Sequence, residues 1–230
     1  MDHIRTINTA YYSALDKRTK YYMLFLDTRK AFDSIHHDFI HATLRKLRVP
    51  QWICNVIAGL MAHVAVLPVF SRAHAIPIKR GVKQGCPLSP LLFAICYDVL
   101  LTALDKVPDH VSLAFADDLA AGAENLDTIL SILRIINTFA KHSGLGLNIR
   151  KTTVLTTREP TATARGLLRL YWPRIKFVTS ATYLGVIMGQ EITTVDVFRK
   201  AMTKFLYRAQ QMHMLIRSAT LHQRSPSITP

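Results

Sequence analysis

The sequence predicts an α+β fold, an antiparallel sheet backed by helices, on three observations. Short apolar runs of strand length, such as 21–27 and 111–116, stand among longer segments with helical spacing. The two kinds are mixed without the strict alternation that would give a parallel sheet. Carboxylates end the apolar runs: Asp27 closes the first, and Asp117 with Asp118 follows Phe115-Ala116 in the second. Hydrophobic residues make up 50% of the 230, ample for a buried core in one large domain or two small ones.

Residues 3–16 place Ile4, Ile7, Tyr11, Ala14 and Leu15 on one helical stripe, and the polar run Lys17-Arg18-Thr19-Lys20 breaks it before a first strand at 21–27. That strand is nearly all apolar, as an interior strand is. A helix follows at 37–47, and Pro50 suits the first position of another running to about Met61. Segments 64–70 and 75–79 read as a strand pair around Ser71-Arg72. Ser89-Pro90 reads as a cap and first-turn proline for a long apolar helix, 91–106. The run 111–123, with Asp117-Asp118 at its centre, reads as a hairpin.

Asn125 is placed to cap a helix at 126–142, which Ser143-Gly144 ends. Residues 151–157 alternate like an exposed edge strand. The segment 158–165, with Pro160 and several threonines, reads as a loop, and 174–188 supplies two short strands ending at Gly185 and Gly189. A basic amphipathic helix is expected at 194–217 and a flexible tail at 218–230. No internal repeat or low-complexity block is present.

Twenty-nine Lys and Arg against fifteen Asp and Glu give a formal charge of +14, which favours a polyanionic partner. Cys54, Cys86 and Cys96 contain no C-x-x-C pair and are odd in number, so neither a disulfide framework nor a zinc ribbon is indicated. The uncharged stretch 49–71 is interrupted by Gln51, Asn55, His63 and Pro68, and is not expected to be a membrane span. No signal peptide is visible at the start, so an intracellular, non-secreted protein is expected.

Carboxylates that end buried strands are costly unless a cation meets them. Two such sites about 90 residues apart in a basic chain therefore suggest hard metal ions over a nucleic-acid cleft, since Mg²⁺ prefers carboxylate oxygens and phosphates. The chemistry implied is phosphoryl transfer on a nucleic acid. By themselves the acids could also be a helix cap, Asp27, and a hairpin turn, Asp117-Asp118.

Five motifs occur in order: Phe25-Leu26-Asp27 through Ala31-Phe32-Asp33; Gly81-Val82-Lys83-Gln84-Gly85-Cys86-Pro87-Leu88-Ser89-Pro90; Phe115-Ala116-Asp117-Asp118; Gly144 to Lys151-Thr152; and Tyr183-Leu184-Gly185. Over about 21–190 this resembles the palm of a reverse transcriptase of the non-LTR retrotransposon and group II intron kind. The resemblance implies that Asp27 and Asp117 bridge two Mg²⁺ ions, with Mn²⁺ as a substitute, while Asp118 points differently and matters less to the ions. Asp33 is expected to serve as a structural cap. Lys151 would protonate the departing pyrophosphate, a task suited to a cation because charge develops on the leaving oxygen.

The resemblance further implies that Phe32, five residues after Asp27, puts a ring under the sugar of the incoming dNTP, with Gln84 and Gly85 beside the base or phosphate. Tyr183, Leu184 and Gly185 would grip the DNA primer. Plainer readings exist for each: a core aromatic at Phe32, turn chemistry at Gln84-Gly85, a solvated lysine at Lys151 and a strand end at Gly185. His36, His37 and His41 have partly helical spacing that could bind a metal, but read as a solvated helix face.

Against that pattern only about 20 residues precede the first strand, where family members carry a fingers region that holds the triphosphate, and only one helix follows Gly189. Phe115 stands where a tyrosine is more usual. The expected organisation is a palm at 1–190, with fingers largely missing, and the start of a truncated, thumb-like basic helix at 191–217. The expected activity is RNA-directed DNA synthesis from an RNA template, a DNA primer and dNTP, weak without parts supplied by a longer parent protein. The alternative is a non-catalytic nucleic-acid-binding remnant of a truncated retroelement. In a eukaryotic host the nucleus is the expected location.

Overall fold

The computed structural model describes residues 2–62, 65–66, 76–77 and 79–222. In chain order the elements are α1 (Asp2–Asp16), β1 (Tyr22–Asp27), α2 (Ala31–Ser34), α3 (His37–Lys46), α4 (Gln51–Ala62), β2 (Ala65–Val66), β3 (Ile76–Pro77), α5 (Leu88–Leu104), β4 (His110–Phe115) and β5 (Asp118–Ala123). They continue as α6 (Leu126–Ser143), β6 (Thr153–Thr156), α7 (Ala162–Tyr171), β7 (Lys176–Val178), β8 (Ser180–Tyr183), β9 (Val186–Gly189) and α8 (Thr194–His222). Five strands form the main sheet in the order β4-β5-β1-β6-β7, antiparallel except for the parallel pair β6 and β7.

β1 lies at the centre of this sheet, which is why its side chains are apolar on both faces. One face turns Tyr22, Leu24 and Leu26, with Leu119, Ala121 and Val154, into a core shared with Leu92, Cys96 and Leu100 of α5 and Ile129, Leu133 and Ile136 of α6. The other face turns Met23 and Phe25, with Ala120 and Leu155, against Ile7, Tyr11 and Ala14 of α1 and Tyr183 and Met188 of the β8–β9 hairpin. Each fully buried leucine or isoleucine in these layers stabilises the fold by about 1.5–3 kcal/mol relative to exposure. Because side chains alternate along a strand, Asp27 continues the Met23 and Phe25 series, on the face that α1 and the hairpin cover only in part.

Several local expectations change. Residues 151–157 are not an exposed edge: Thr153–Thr156 is paired on both sides and Val154 and Leu155 are fully buried. The predicted loop 158–165 instead holds the start of α7, because Thr161 Oγ1 accepts from the Ala164 amide at 3.2 Å and Ala164 and Leu168 reach the core. Ser89 does not cap α5; the helix begins at Leu88, and Ser89 Oγ donates to the Lys83 carbonyl at 2.6 Å, tying down the preceding loop. Asn125 occupies the cap position of α6 without a side-chain cap bond, whereas Gly144 ends that helix in the left-handed conformation as expected.

Segment 174–188 contributes three strands rather than two, the first joining the main sheet. Helix α8 continues through 218–222, into the segment expected to be a flexible tail. The tail at 223–230 and most of the strand pair at 64–79 lie outside the described residues, apart from the β2–β3 ladder and residue 79. No helix among the described residues is long and apolar enough to cross a membrane.

Candidate active site

Register puts the acids together. In the β1–β5 ladder Asp27 is directly opposite Asp118, so the two carboxylates leave the same face of the sheet at its open end. Asp117 is the last residue of the β4–β5 turn, after Ala116 at φ 53°, rather than a strand residue opposite Asp27. The Thr28 hydroxyl donates to the Asp117 carbonyl at 3.1 Å and pins this turn to the end of β1. Asp118 therefore stands with Asp27, contrary to the expectation that it points elsewhere.

Asp27, Asp118 and Lys151 share a hollow of about 160 Å³ with Phe25, Leu26, Thr182, Tyr183 and Leu184. A larger hollow, about 910 Å³, lies between the β8–β9 hairpin and α8, but none of the acids lines it. Lys151 Nζ is 3.6 Å from Asp27 Oδ2, and its side chain remains 69% exposed. A pair this open to water contributes little stability, which leaves the ammonium free to move. Asn148 Nδ2 donates to the same Oδ2 at 2.7 Å, and the Asn148 amide donates to the Asp27 carbonyl at 2.9 Å. No role was predicted for Asn148 inside the 144–152 motif; the available signal was a polar side chain three residues before Lys151.

Among the described residues Asp118 has no such donor. Burial raises its carboxyl above the ordinary aspartate value, the charges of Asp117 and Asp27 raise it further, and Lys151 offsets them in part. In the two cores on either face of the sheet, the Tyr97 and Tyr183 hydroxyls are buried without a hydrogen-bond partner among the described residues. Burial pushes both up to about 12, with Asp118 adding to each, so both stay neutral and add no further negative charge. Tyr97 adjoins Thr28, whose own hydroxyl proton is directed to the Asp117 carbonyl.

No group of three or more His, Cys, Asp or Glu side chains among the described residues is arranged to hold a metal ion by itself. Mg²⁺ is usually held by one or two carboxylates with substrate phosphates and water, so this donor set fits it. Asp27 and Asp118 would hold the cation, beside Asp117, and Asp118 has carboxylate charge that the protein does not neutralise.

Phe32 is partly buried and stacks on Phe93 of α5, centroids 4.6 Å apart, with Phe93 stacked in turn on Tyr97. Its ring is thus anchored to the helical core. Its neighbour Asp33 accepts from Gln84 Nε2 at 3.1 Å, a role in place of the expected cap. Gly81 holds the loop before Gln84 against α2: at φ +83°, a Cβ there would fall 2.8 Å from the Asp33 backbone. His37 Nε2 meets the Gly81 carbonyl at 2.9 Å, a structural contact for one of the three histidines. Gln84 and Gly85 are exposed beside a hollow of about 520 Å³ that also includes Asp33, Arg80 and Lys83.

Tyr183 is buried against Phe25, and Leu184 and Gly185, both at positive φ, form the two-residue turn between β8 and β9. Leu184 lines the acid hollow and Gly185 faces the larger one.

A family model described as reverse transcriptase (RNA-dependent DNA polymerase) matches residues 1–188. The Retrovirus-related Pol polyprotein from type-1 retrotransposable element R2 of Popillia japonica is 34% identical over 158 residues, covering 63% of this chain and 22% of that protein. The polyprotein from type-2 element R2DM of Drosophila melanogaster is 35% identical over 147 residues, covering 56% of this chain and 13% of that protein. The chain thus spans less than a quarter of the length of these relatives. Telomerase from Candida albicans, solved with a fragment of telomeric RNA, superposes with a TM-score of 0.61 at 16% identity over 85% of this chain and 33% of that one. Apo telomerase from Candida tropicalis gives 0.60 at 18% over 82% and 37%. At that identity the likeness shows the fold alone, and it is the family match over most of the sequence, with the paired strand-end acids, that makes this chain a member of the reverse transcriptase family.

Proposed function

We propose that this chain carries the nucleotidyl-transfer site of a retroelement RNA-directed DNA polymerase, joining dNTP to the 3′-hydroxyl of a DNA primer on an RNA template. The observation that supports it is Asp27 facing Asp118 across paired strands, beside Asp117 and within reach of Lys151. Two Mg²⁺ ions, with Mn²⁺ able to substitute, would when bound supply Lewis acidity to the primer hydroxyl and to the leaving pyrophosphate. Asp27, Asp117 and Asp118 would hold them. Lys151, exposed beside Asp27, would deliver a proton to the pyrophosphate oxygen.

Phe32, held by its stack on Phe93, limits room at the sugar and favours dNTP. Gln84 and Gly85 position the nucleotide, and Tyr183, Leu184 and Gly185 the primer end. Residues 1–190 then act as the palm, with α8 beginning a thumb-like element, and a longer parent protein supplies further contacts to triphosphate and duplex. Its place of action is intracellular, the nucleus in a eukaryotic host.

The test is primer extension by the 230-residue chain on an RNA template with Mg²⁺, alongside RNA–DNA duplex binding at several salt concentrations. Weak extension lost in Asp27→Ala is expected, with binding that falls steeply as salt rises. Binding of that kind without any extension, in either metal, would favour the non-catalytic remnant instead.

A further inference from the structure

We infer that Asn148 is a positioning residue that sets the orientation of the Asp27 carboxylate and, through its carbonyl, the place of Lys151. The inference rests on the metal-holding role proposed for Asp27. Four hydrogen bonds converge on Asn148 besides the one its side chain makes. Its amide donates to the Asp27 carbonyl at 2.9 Å, and its own carbonyl accepts from the Lys151 amide at 2.9 Å, the Thr152 amide at 3.0 Å and the Thr152 hydroxyl at 3.1 Å. One residue thereby clamps the end of β1 to the turn that carries the lysine.

The side-chain bond decides which oxygen of Asp27 remains available. Asn148 Nδ2 and Lys151 Nζ both address Oδ2, at 2.7 and 3.6 Å, and no described residue bonds Oδ1. The amide must present its NH₂ here, since its oxygen would be repelled by the carboxylate. A neutral donor is suited to this place because it fixes the carboxylate without cancelling the charge that attracts a cation. Lys151 in the same place would compete with the cation and is free to leave; Asn148 stays. Donors behind metal-binding carboxylates typically matter by about 10–100-fold in affinity when removed.

The test uses the full chain with Mn²⁺ as a spectroscopic probe, its free fraction read by electron paramagnetic resonance, beside Asp27→Ala, Asn148→Ala and Asn148→Leu. Thermal unfolding of each variant establishes that it is folded. Both Asn148 variants are expected to bind Mn²⁺ about 10-fold or more weakly than the unsubstituted chain. A folded Asn148 variant with unchanged Mn²⁺ affinity overturns the inference and leaves the role of Asp27 standing. Unchanged affinity in Asp27→Ala overturns the role of Asp27 itself, and the inference with it.

A second measurement does not depend on a variant folding. In the unsubstituted chain the Asn148 side-chain amide protons, followed by NMR, should keep their hydrogen-bonded shift and slow exchange as Mg²⁺ is added. Loss of that signature on adding Mg²⁺ would mean that the cation displaces the amide rather than using the oxygen it leaves open.

Discussion

Asp27 and Asp118 face each other across one strand pair, yet the chain treats them in opposite ways. Asp27 ends the central strand and is met by the 144–152 turn, which brings it a neutral donor and a lysine. Asp118 starts the neighbouring strand and meets burial and two like charges, which Lys151 offsets in part. The difference teaches that one carboxylate is oriented by the fold while the charge of the other is opposed by burial and by its neighbours.

The largest expected effect tests what the two acids have in common. Asp27→Ala and Asp118→Ala should each take primer extension below detection, because both carboxylates address the same hollow. Retained extension in Asp118→Ala would break the pairing and return the weight to Asp117 in the turn.

Stability should then separate them. Removing the carboxylate in Asp27→Ala strands the Asn148 amide, and denaturant unfolding in EDTA should show a loss of about 1–3 kcal/mol. Asp118→Asn should go the other way, raising the unfolding midpoint at neutral pH, since it removes a charge that burial and neighbours oppose. The sign follows from proton binding: with its carboxyl raised in the folded state, the folded chain binds the Asp118 proton more tightly than the unfolded one. That contribution is complete below the ordinary aspartate value, about 3.9, and is lost as pH rises through the raised one. The advantage of Asp118→Asn over the unsubstituted chain should therefore grow from about pH 4 upward; an advantage that shrinks over that range would mean Asp118 is not opposed in the fold.

Lys151→Ala should have the smallest effect on stability, under about 1 kcal/mol, because its pair with Asp27 is exposed. The same variant should still slow primer extension, because it removes the cation proposed to meet the leaving pyrophosphate. A stability loss as large as that of Asp27→Ala would show that Lys151 and not Asn148 is the main support of Asp27.

How much of this was legible depends on how local each signal is. The apolar run to Asp27 and the 111–123 hairpin were readable because alternation and turn placement act within a few residues. β6 reads as an edge in sequence because its partners lie far along the chain, 128–134 residues before it in β1 and 23 after it in β7, and pairing leaves no local mark. At α7, Pro160 and Thr161 suit a loop and a helix start equally; burial of Leu168 decides for the helix. Exposed Phe198, Phe205 and Leu215 show the same limit on α8, where apolar composition did not secure burial.

The sequence by itself determined the inventory: Asp27 at a strand end, Asp117-Asp118 at a hairpin turn, a lysine in a short turn motif, an excess of positive charge and an order of motifs that identifies the family. Those follow from residue identity and short spacing. Only the tertiary structure decided that Asp118 rather than Asp117 stands opposite Asp27, that Phe32 is braced by Phe93, and that Asn148 holds Asp27. The physical reason is that strand register and contacts across 61 to 121 residues arise from packing two layers onto one sheet, and no local preference of the chain specifies them.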